Sequence, residues 1–207
     1  LPFMMYFGET EFCKKQIESL ENHLHRGLLE PITHKLWLKI TPAFAHTDLI
    51  LGLTVYYRLT GAKKALKLAE KIATSVISTF FQDQFMRSYY LPQLRTTLPI
   101  FDSVDGTFIE LFVELGKITS KKKYIKTAEK LWNFIEDIPF YQKNRLLPEY
   151  YVPAPRLLAK LAGVQRKTTR VKMMKNNTNS LFATLELYKH THKACLLYTS
   201  PSPRDRG

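Results

Sequence analysis

The sequence predicts an all-α protein built from repeated helical hairpins. Three observations lead to this fold class: apolar residues recur at helical spacing, proline or glycine follows several of the helical runs, and segments of the chain superpose on one another. Strand-like patterns are short and few, such as residues 87–91. The chain has 207 residues and is 45% hydrophobic, which is enough for a packed core.

The helices can be assigned in order along the chain. Residues 9–30 place apolar side chains near one face as far as Pro31, which predicts the first helix. Five further helices are predicted at about 44–59, 62–81, 104–118, 121–137 and 178–190. Residues 82–101 and the proline-containing segment after residue 137 are predicted to be long loops, which are usually functional.

Two of the predicted hairpins superpose when Thr60 is aligned with Thr119, an offset of 59 residues. Glu70 then falls on Glu129. A third copy aligns Thr191 with Thr119. A solenoid of the tetratricopeptide type is the alternative, but its unit is only about 34 residues long.

The repeated phrase is an apolar helix ending in Thr, a short turn, and a helix with Ala at its centre. It occurs at residues 55–71 and again at 114–130. This phrase resembles the six-hairpin glycosidase-like (α/α)6 toroids, a group of carbohydrate-active enzymes. The resemblance covers roughly residues 43–193 and implies a partial toroid domain at 1–194, about half of a ring. A part of a ring is expected to be inactive by itself.

The C-terminal residues have a separate resemblance. Residues 195–205 read as the translation of a transposase adapter used in sequencing libraries. The native sequence is therefore expected to end near Ala194, with 195–207 a disordered, non-native tail. The alternative is a genuine tail rich in serine and proline.

The net charge of +13 suggests nucleic acid or an anionic surface as a partner. The lysines, however, form runs at residues 63–71 and 121–130, on what would be the outer faces of two hairpins. Such runs are usually solvated, and no RNA-binding motif accompanies them, so nucleic acid is not the favoured partner.

No apolar run of about 18 residues is present, which argues against a membrane-spanning segment. No signal peptide is recognisable, which favours a cytoplasmic location. The sequence leaves the oligomeric state open. It predicts no cofactor. It also predicts no metal site, because the histidine pairs are too poorly spaced to share an ion.

Polar residues precede each of the helices that the resemblance places on the inside of the ring. The three sets are His46 with Asp48, Asp102 with Asp105, and Asn177 with Asn179. Helix capping is an alternative role, and the favoured one for Asp48 and Asn179 alone. One helix needs only one cap, however, so two carboxylates could act as general acid and general base. The predicted catalytic residues are Asp102, Asp105 and His46.

Further residues are predicted to bind the substrate. Glu149 and Tyr150 follow a proline in the second predicted loop, and Tyr89 with Tyr90 could stack on sugar faces. Asp48, Asn177 and Asn179 complete this predicted set. The alternative for the loop residues is surface packing, and for the tyrosines it is a place in the core.

The sequence is compatible with three functions. The first is a glycoside hydrolase acting through carboxylates, with a carbohydrate as its partner. The second is a sugar epimerase or isomerase of the same fold, in which histidines would transfer protons. The third is a helical scaffold that binds protein or RNA.

Overall fold

A computed structural model describes residues 10–33, 39–82, 84–102, 106–144, 146–148, 150–151 and 184–192. Helices dominate these residues, and they confirm the predicted class of repeated helical hairpins. The helices are α1 (Thr10–Asn22), α2 (Ala45–Thr60), α3 (Lys63–Phe80), α4 (Thr107–Thr119), α5 (Lys122–Asp137), α6 (Pro139–Asn144) and α7 (184–191).

Short strands lie between the helices. They are β1 (Leu24–His25), β2 (Leu28–Leu29), β3 (Ile32–Thr33), β4 (Lys39–Pro42), β5 (Phe81–Gln82), β6 (Phe85–Met86), β7 (Tyr89–Leu91), β8 (Thr96–Leu98), β9 (Phe101–Asp102) and β10 (Tyr150–Tyr151). The chain forms two compact units. The first comprises Leu1–Gln82 and Tyr89–Leu98, and the second comprises Asp83–Ser88 and Pro99–Gly207.

The threonines used to align the repeats make the same hydrogen bond in all three copies. The hydroxyl groups of Thr60, Thr119 and Thr191 donate to the carbonyl four residues earlier, at 2.7, 2.6 and 3.0 Å. The next residue is left-handed each time, with φ of 71° at Gly61, 56° at Ser120 and 53° at His192. This shared helix ending confirms the alignment, since it closes the three helices in the same way.

Each hairpin buries the apolar face that its sequence pattern predicts. In the first unit α2 contributes Ile50 and Leu53, and α3 contributes Ile72 and Val76, all fully buried. The lysines of α3 and α5 singled out in the sequence are exposed, as predicted for outer faces. Among the described residues, no helix is both long and apolar enough to cross a membrane.

In the second unit α4 and α5 approach each other closely at Gly116. A Cβ atom there would lie 2.5 Å from Ile125 Cδ1 and 2.7 Å from Ile125 Cγ1, well inside van der Waals contact. Gly116 is also buried, in the last turn of α4, where it faces the first turn of α5. A side chain at this position would push the two helices apart.

We expect Gly116→Ala to lower the free energy of unfolding by about 1–2 kcal/mol, because overpacking outweighs the better helix propensity of alanine. In an Ile125→Ala background the same substitution should stabilise the chain, by up to about 1 kcal/mol. Urea unfolding of the four variants of this cycle measures both values. A Gly116→Ala substitution with the same effect in both backgrounds would contradict the close contact.

The first predicted helix is wrong beyond residue 22. α1 ends at Asn22, and β1 pairs with β2 in an antiparallel hairpin. Leu24 and Leu28 continue the helical spacing, but the turn between the strands has Arg26 and Gly27 at φ of 53° and 80°. Two consecutive left-handed residues form a tight hairpin turn and cannot continue a helix.

The loop predicted at 82–101 is also corrected. In the first unit β3, β4, β7 and β8 form one antiparallel sheet in that order. Tyr90 lies opposite both Thr41 and Thr97. The strands are only two to four residues long, so the period of two was too brief to recognise in the sequence.

Candidate functional site

The first unit contains a cavity of about 820 Å³ beside the end of α3. Its walls are the β1–β2 hairpin, strands β4 and β7, the turn before β8, and the last turns of α3. The lining side chains are mostly polar. Because α2 and α3 are antiparallel, this is also the end at which α2 begins, where the sequence places the site.

Tyr90 lines this cavity, as its predicted contact with a substrate requires. Its ring is half-buried and packs edge-on against Phe80, with the centroids 6.4 Å apart. Tyr89 is the adjacent residue of β7, and neighbouring residues of a strand point to opposite faces. The structure therefore brings Tyr90 to the cavity but not Tyr89, whose role remains a prediction.

His46 lies next to the cavity wall, in the first turn of α2, and is fully buried. The backbone N–H of Leu29 in β2 donates to His46 Nε2 at 3.0 Å. His46 Nδ1 lies 3.0 Å from the carbonyl oxygen of Ala43. These partners require the neutral ring with its proton on Nδ1, and they join the β1–β2 hairpin to the inner helix.

Burial lowers the pKa of His46 from its ordinary value of 6.5, and this outweighs the backbone hydrogen bonds to Ala43 and Pro42 that raise it. The ring also packs against Phe80, with centroids 5.8 Å apart. In this arrangement both ring nitrogens are occupied by the backbone. The proton-transfer role of His46 stays a prediction, and the geometry gives the residue a structural function.

Asp48 is exposed in the first turn of α2. The cap position of this helix is Phe44, with no side-chain cap, so the expectation that Asp48 caps the helix is wrong. A carboxylate in the first turn still interacts favourably with the helix dipole. The predicted contact of Asp48 with a substrate remains a prediction.

In the second unit Asp102 is a buried carboxylate, only 2% exposed, at the end of β9. Its backbone pairs with Tyr150 in β10. The backbone N–H and the hydroxyl of Ser88 both donate to the carbonyl of Ile100, at 2.7 and 2.8 Å. These bonds fix the residue that directly precedes β9. Asp102 thus lies on a held segment shortly before the inner helix α4.

An aromatic cluster packs against the β9–β10 pair that carries Asp102. The Phe134 ring of α5 stacks on Phe85 with centroids 4.6 Å apart, and it meets Phe101 at 5.6 Å and Tyr151 at 6.0 Å. Phe101 and Tyr151 face each other across the β9–β10 pair. Strands of two residues are marginal alone, so this packing stabilises the backbone that carries Asp102.

The inner helices α4 and α7 carry a group of charges that the sequence did not single out. Lys117 of α4 donates to Glu186 of α7, and Lys189 donates to the same carboxylate. These hydrogen bonds lower the pKa of Glu186 to about 2. Burial, followed by the charges of Glu114 and Glu186, raises the pKa of Glu110.

Four predicted site residues lie outside the described part of the chain: Asp105, Glu149, Asn177 and Asn179. Tyr150 is described only in its backbone. The predicted boundaries at residues 194 and 195 also fall outside it. Within the described residues, no three His, Cys, Asp or Glu side chains come together as a metal site.

Sequence reasoning missed the basic residues that line the cavity, Arg26, Lys39 and Arg95. They are scattered along the chain: Arg26 lies in the β1–β2 turn, Lys39 in β4, and Arg95 in the turn between β7 and β8. The one local signal was an Arg-Gly pair at residues 26–27, flanked by the leucines of two strands, which is a possible hairpin turn.

No protein-family model matches the chain, and no curated protein matches its sequence. Solved structures do match. The chain superposes on cellobiose 2-epimerase from Bacillus thermoamylovorans with a TM-score of 0.63 at 13% identity, covering 90% of this chain and 52% of the epimerase. It superposes on a GH76 α-mannanase from Bacteroides thetaiotaomicron with a TM-score of 0.62 at 13% identity, covering 78% and 42%.

A D-mannose isomerase gives a TM-score of 0.61 at 14% identity, covering 78% of this chain and 43% of the isomerase. The fold is part of an (α/α)6 toroid. This confirms the fold that the repeated phrase implied. The chain spans only about half the length of these proteins, and at such identities the likeness establishes the fold alone.

Proposed function

We propose that the protein containing this chain is a carbohydrate-active enzyme, and that it hydrolyses glycosidic bonds. The observation that carries the proposal is the buried carboxylate of Asp102, held on β9 shortly before an inner helix of a toroid fold. Solved structures of this fold include a mannanase, a cellobiose epimerase and a mannose isomerase.

In hydrolysis one carboxylic acid protonates the leaving oxygen while a second carboxylate accepts a proton from water or attacks the sugar directly. The bond from the anomeric carbon to the leaving oxygen breaks, and water adds to that carbon. Asp102 would supply one of these groups, with Asp105 as the predicted partner. A carboxyl that is shielded from water can serve in either role, depending on the groups beside it.

The epimerase alternative would use histidines to move the proton. His46 supports it less well, because both of its ring nitrogens are engaged by backbone groups. The scaffold alternative would use the basic faces of α3 and α5, whose lysines are exposed and spread along the helices. A polar cavity beside a half-buried tyrosine is better suited to a sugar than to a flat helical partner.

The test is a substrate panel with the complete gene product that contains this chain. We expect reducing sugar to be released from at least one α- or β-linked oligosaccharide, with mannan and cellobiose included because of the structural neighbours. Interconversion of mannose, fructose and glucose without hydrolysis would favour the isomerase. A folded protein that changes no glycan across the panel would contradict both enzyme functions.

A further inference from the structure

The cavity of the first unit gathers positive charge. Arg26, Lys39 and Arg95 line it together with His25, and Glu30 is the one carboxylate among the lining residues. None of these three cations makes an ion pair within the part of the chain that the structure describes. A concave surface with a net positive charge attracts anions more strongly than the same charges on a convex surface.

Both arginines occupy backbone positions that do not favour arginine. Arg26 has φ of 53° in the β1–β2 turn, and Arg95 has φ of 49° in the turn that leads into β8. Glycine and asparagine are the usual residues at such left-handed positions, where other side chains cost folding free energy. Two separate turns bear this cost, and both direct their arginines to the same cavity.

The turns are also fixed in place. The Ser75 hydroxyl of α3 donates to the carbonyl oxygen of Arg26 at 3.0 Å. A side chain at Gly27 would collide with Ser75, so the hairpin lies directly on the helix. With its side-chain amide in the orientation that satisfies both groups, Gln93, in the turn that contains Arg95, donates to the carbonyl of Lys39 at 3.0 Å and accepts from its N–H at 2.6 Å. The three cations thus stand on backbone that is anchored to neighbouring elements.

The rest of the lining suits a sugar. Tyr90 offers a half-buried aromatic ring, and Thr41, Ser78 and Thr79 offer hydroxyl groups. A volume of about 820 Å³ is ample for a disaccharide, within the usual range for ligand sites. Arginine matches the planar, paired oxygens of a carboxylate or a phosphate better than any other side chain.

We infer that this cavity binds an anionic sugar, with its carboxylate or phosphate held by Arg26, Arg95 and Lys39 and its ring against Tyr90. The inference rests on the proposed carbohydrate function, and it adds that this cavity prefers a sugar that carries a negative charge. Carboxylate and phosphate present the same chemistry to the two arginines, so experiment must separate a uronate from a sugar phosphate.

The test measures binding by calorimetry with the complete gene product and three matched probes, glucose, glucuronate and glucose 6-phosphate. At low salt we expect one of the two charged sugars to bind at least tenfold more tightly than glucose. Added salt should weaken the binding of that charged sugar. The tighter of the two identifies the charged group. Inorganic phosphate alone serves as a fourth probe.

The informative variant is Arg26→Asn/Arg95→Asn. Asparagine tolerates the left-handed backbone better than arginine, so this variant should unfold at the same or a higher temperature. We expect it to lose about 100-fold in affinity for the charged sugar, roughly tenfold for each arginine, with no change for glucose. The matched control is Lys63→Gln/Lys67→Gln, which removes two exposed charges of α3 outside the cavity lining and should keep full affinity.

Three results would overturn the inference. One is equal affinity for glucose and both charged sugars, which would leave the proposed function standing but remove the charge preference. Another is inorganic phosphate binding as tightly as glucose 6-phosphate, which would make the cavity a simple anion site. The third is full affinity in the stable asparagine double variant. Failure of the proposed function is separate, since it is read from the turnover of the substrate panel.

Discussion

Replacing His46 with alanine should lower the free energy of unfolding by about 3 kcal/mol. The ring is fully buried between the β1–β2 hairpin and α2, and it packs against Phe80. Its loss leaves the N–H of Leu29 without an acceptor and opens a space beside Phe80, while the carbonyl of Ala43 keeps the backbone N–H of His46 as a donor. Each of these changes is costly in a packed interior.

The same residue makes stability depend on pH, with a definite sign. The pKa of His46 is lowered in the folded chain, so below the ordinary value of 6.5 the unfolded chain binds a proton that the folded chain does not. Stability is therefore complete above pH 6.5. It falls as the pH drops from 6.5 toward the folded-state pKa, at up to about 1.4 kcal/mol per pH unit.

Urea unfolding at pH 7.5 and 5.5 measures this effect, with His46→Gln as the second variant. Glutamine fills part of the space but does not titrate. The free energy of unfolding should therefore change less between the two pH values, by the amount that His46 contributes in the parent chain. Phe80→Leu is the matched control, because it destabilises the same contact and leaves the titrating ring in place. A His46→Gln variant with the full pH dependence of the parent chain would show that the ring is not held neutral.

The hairpins were predictable because each of their helices repeats one chemical pattern over 13 to 18 residues. Long apolar stripes give a strong periodic signal, and the threonine that closes each inner helix makes its hydrogen bond within its own helix. The β1–β2 hairpin was missed for the opposite reason. Leu24 and Leu28 satisfy helical spacing, and only the backbone at Arg26 and Gly27 distinguishes a turn from a helix.

The candidate site was predictable only in part. Positions near the start of the inner helices could be predicted from the repeat, and this is how Asp102, before α4, and His46, in the first turn of α2, were selected. What those positions do depends on contacts distant in sequence, such as the bond from Leu29 to His46. The cavity itself is built from short strands that pair across some 50 residues, as Thr41 does with Tyr90, and no local pattern records such pairing.

If the complete gene product hydrolyses a glycan as proposed, Asp102→Asn should lower kcat on that glycan by about 10²–10⁴, with little change in KM. Asparagine is nearly the same size as aspartate and can still accept hydrogen bonds, but it neither donates an acidic proton nor accepts one. Because Asp102 is only 2% exposed, the comparison of the variant with its parent requires that both show the same urea midpoint.

The pH profile of kcat/KM separates a reacting carboxyl from one that only supports the site. If Asp102 moves a proton, the limb of the profile that it controls disappears in Asp102→Asn, whereas a supporting residue lowers the whole profile without changing its shape. Asp137→Asn is the matched control, because it neutralises an exposed aspartate at the end of α5 and should leave both rate and profile unchanged. A folded Asp102→Asn enzyme with the parent's rate would remove Asp102 from the reaction and leave the other carboxylates of the ring to carry it.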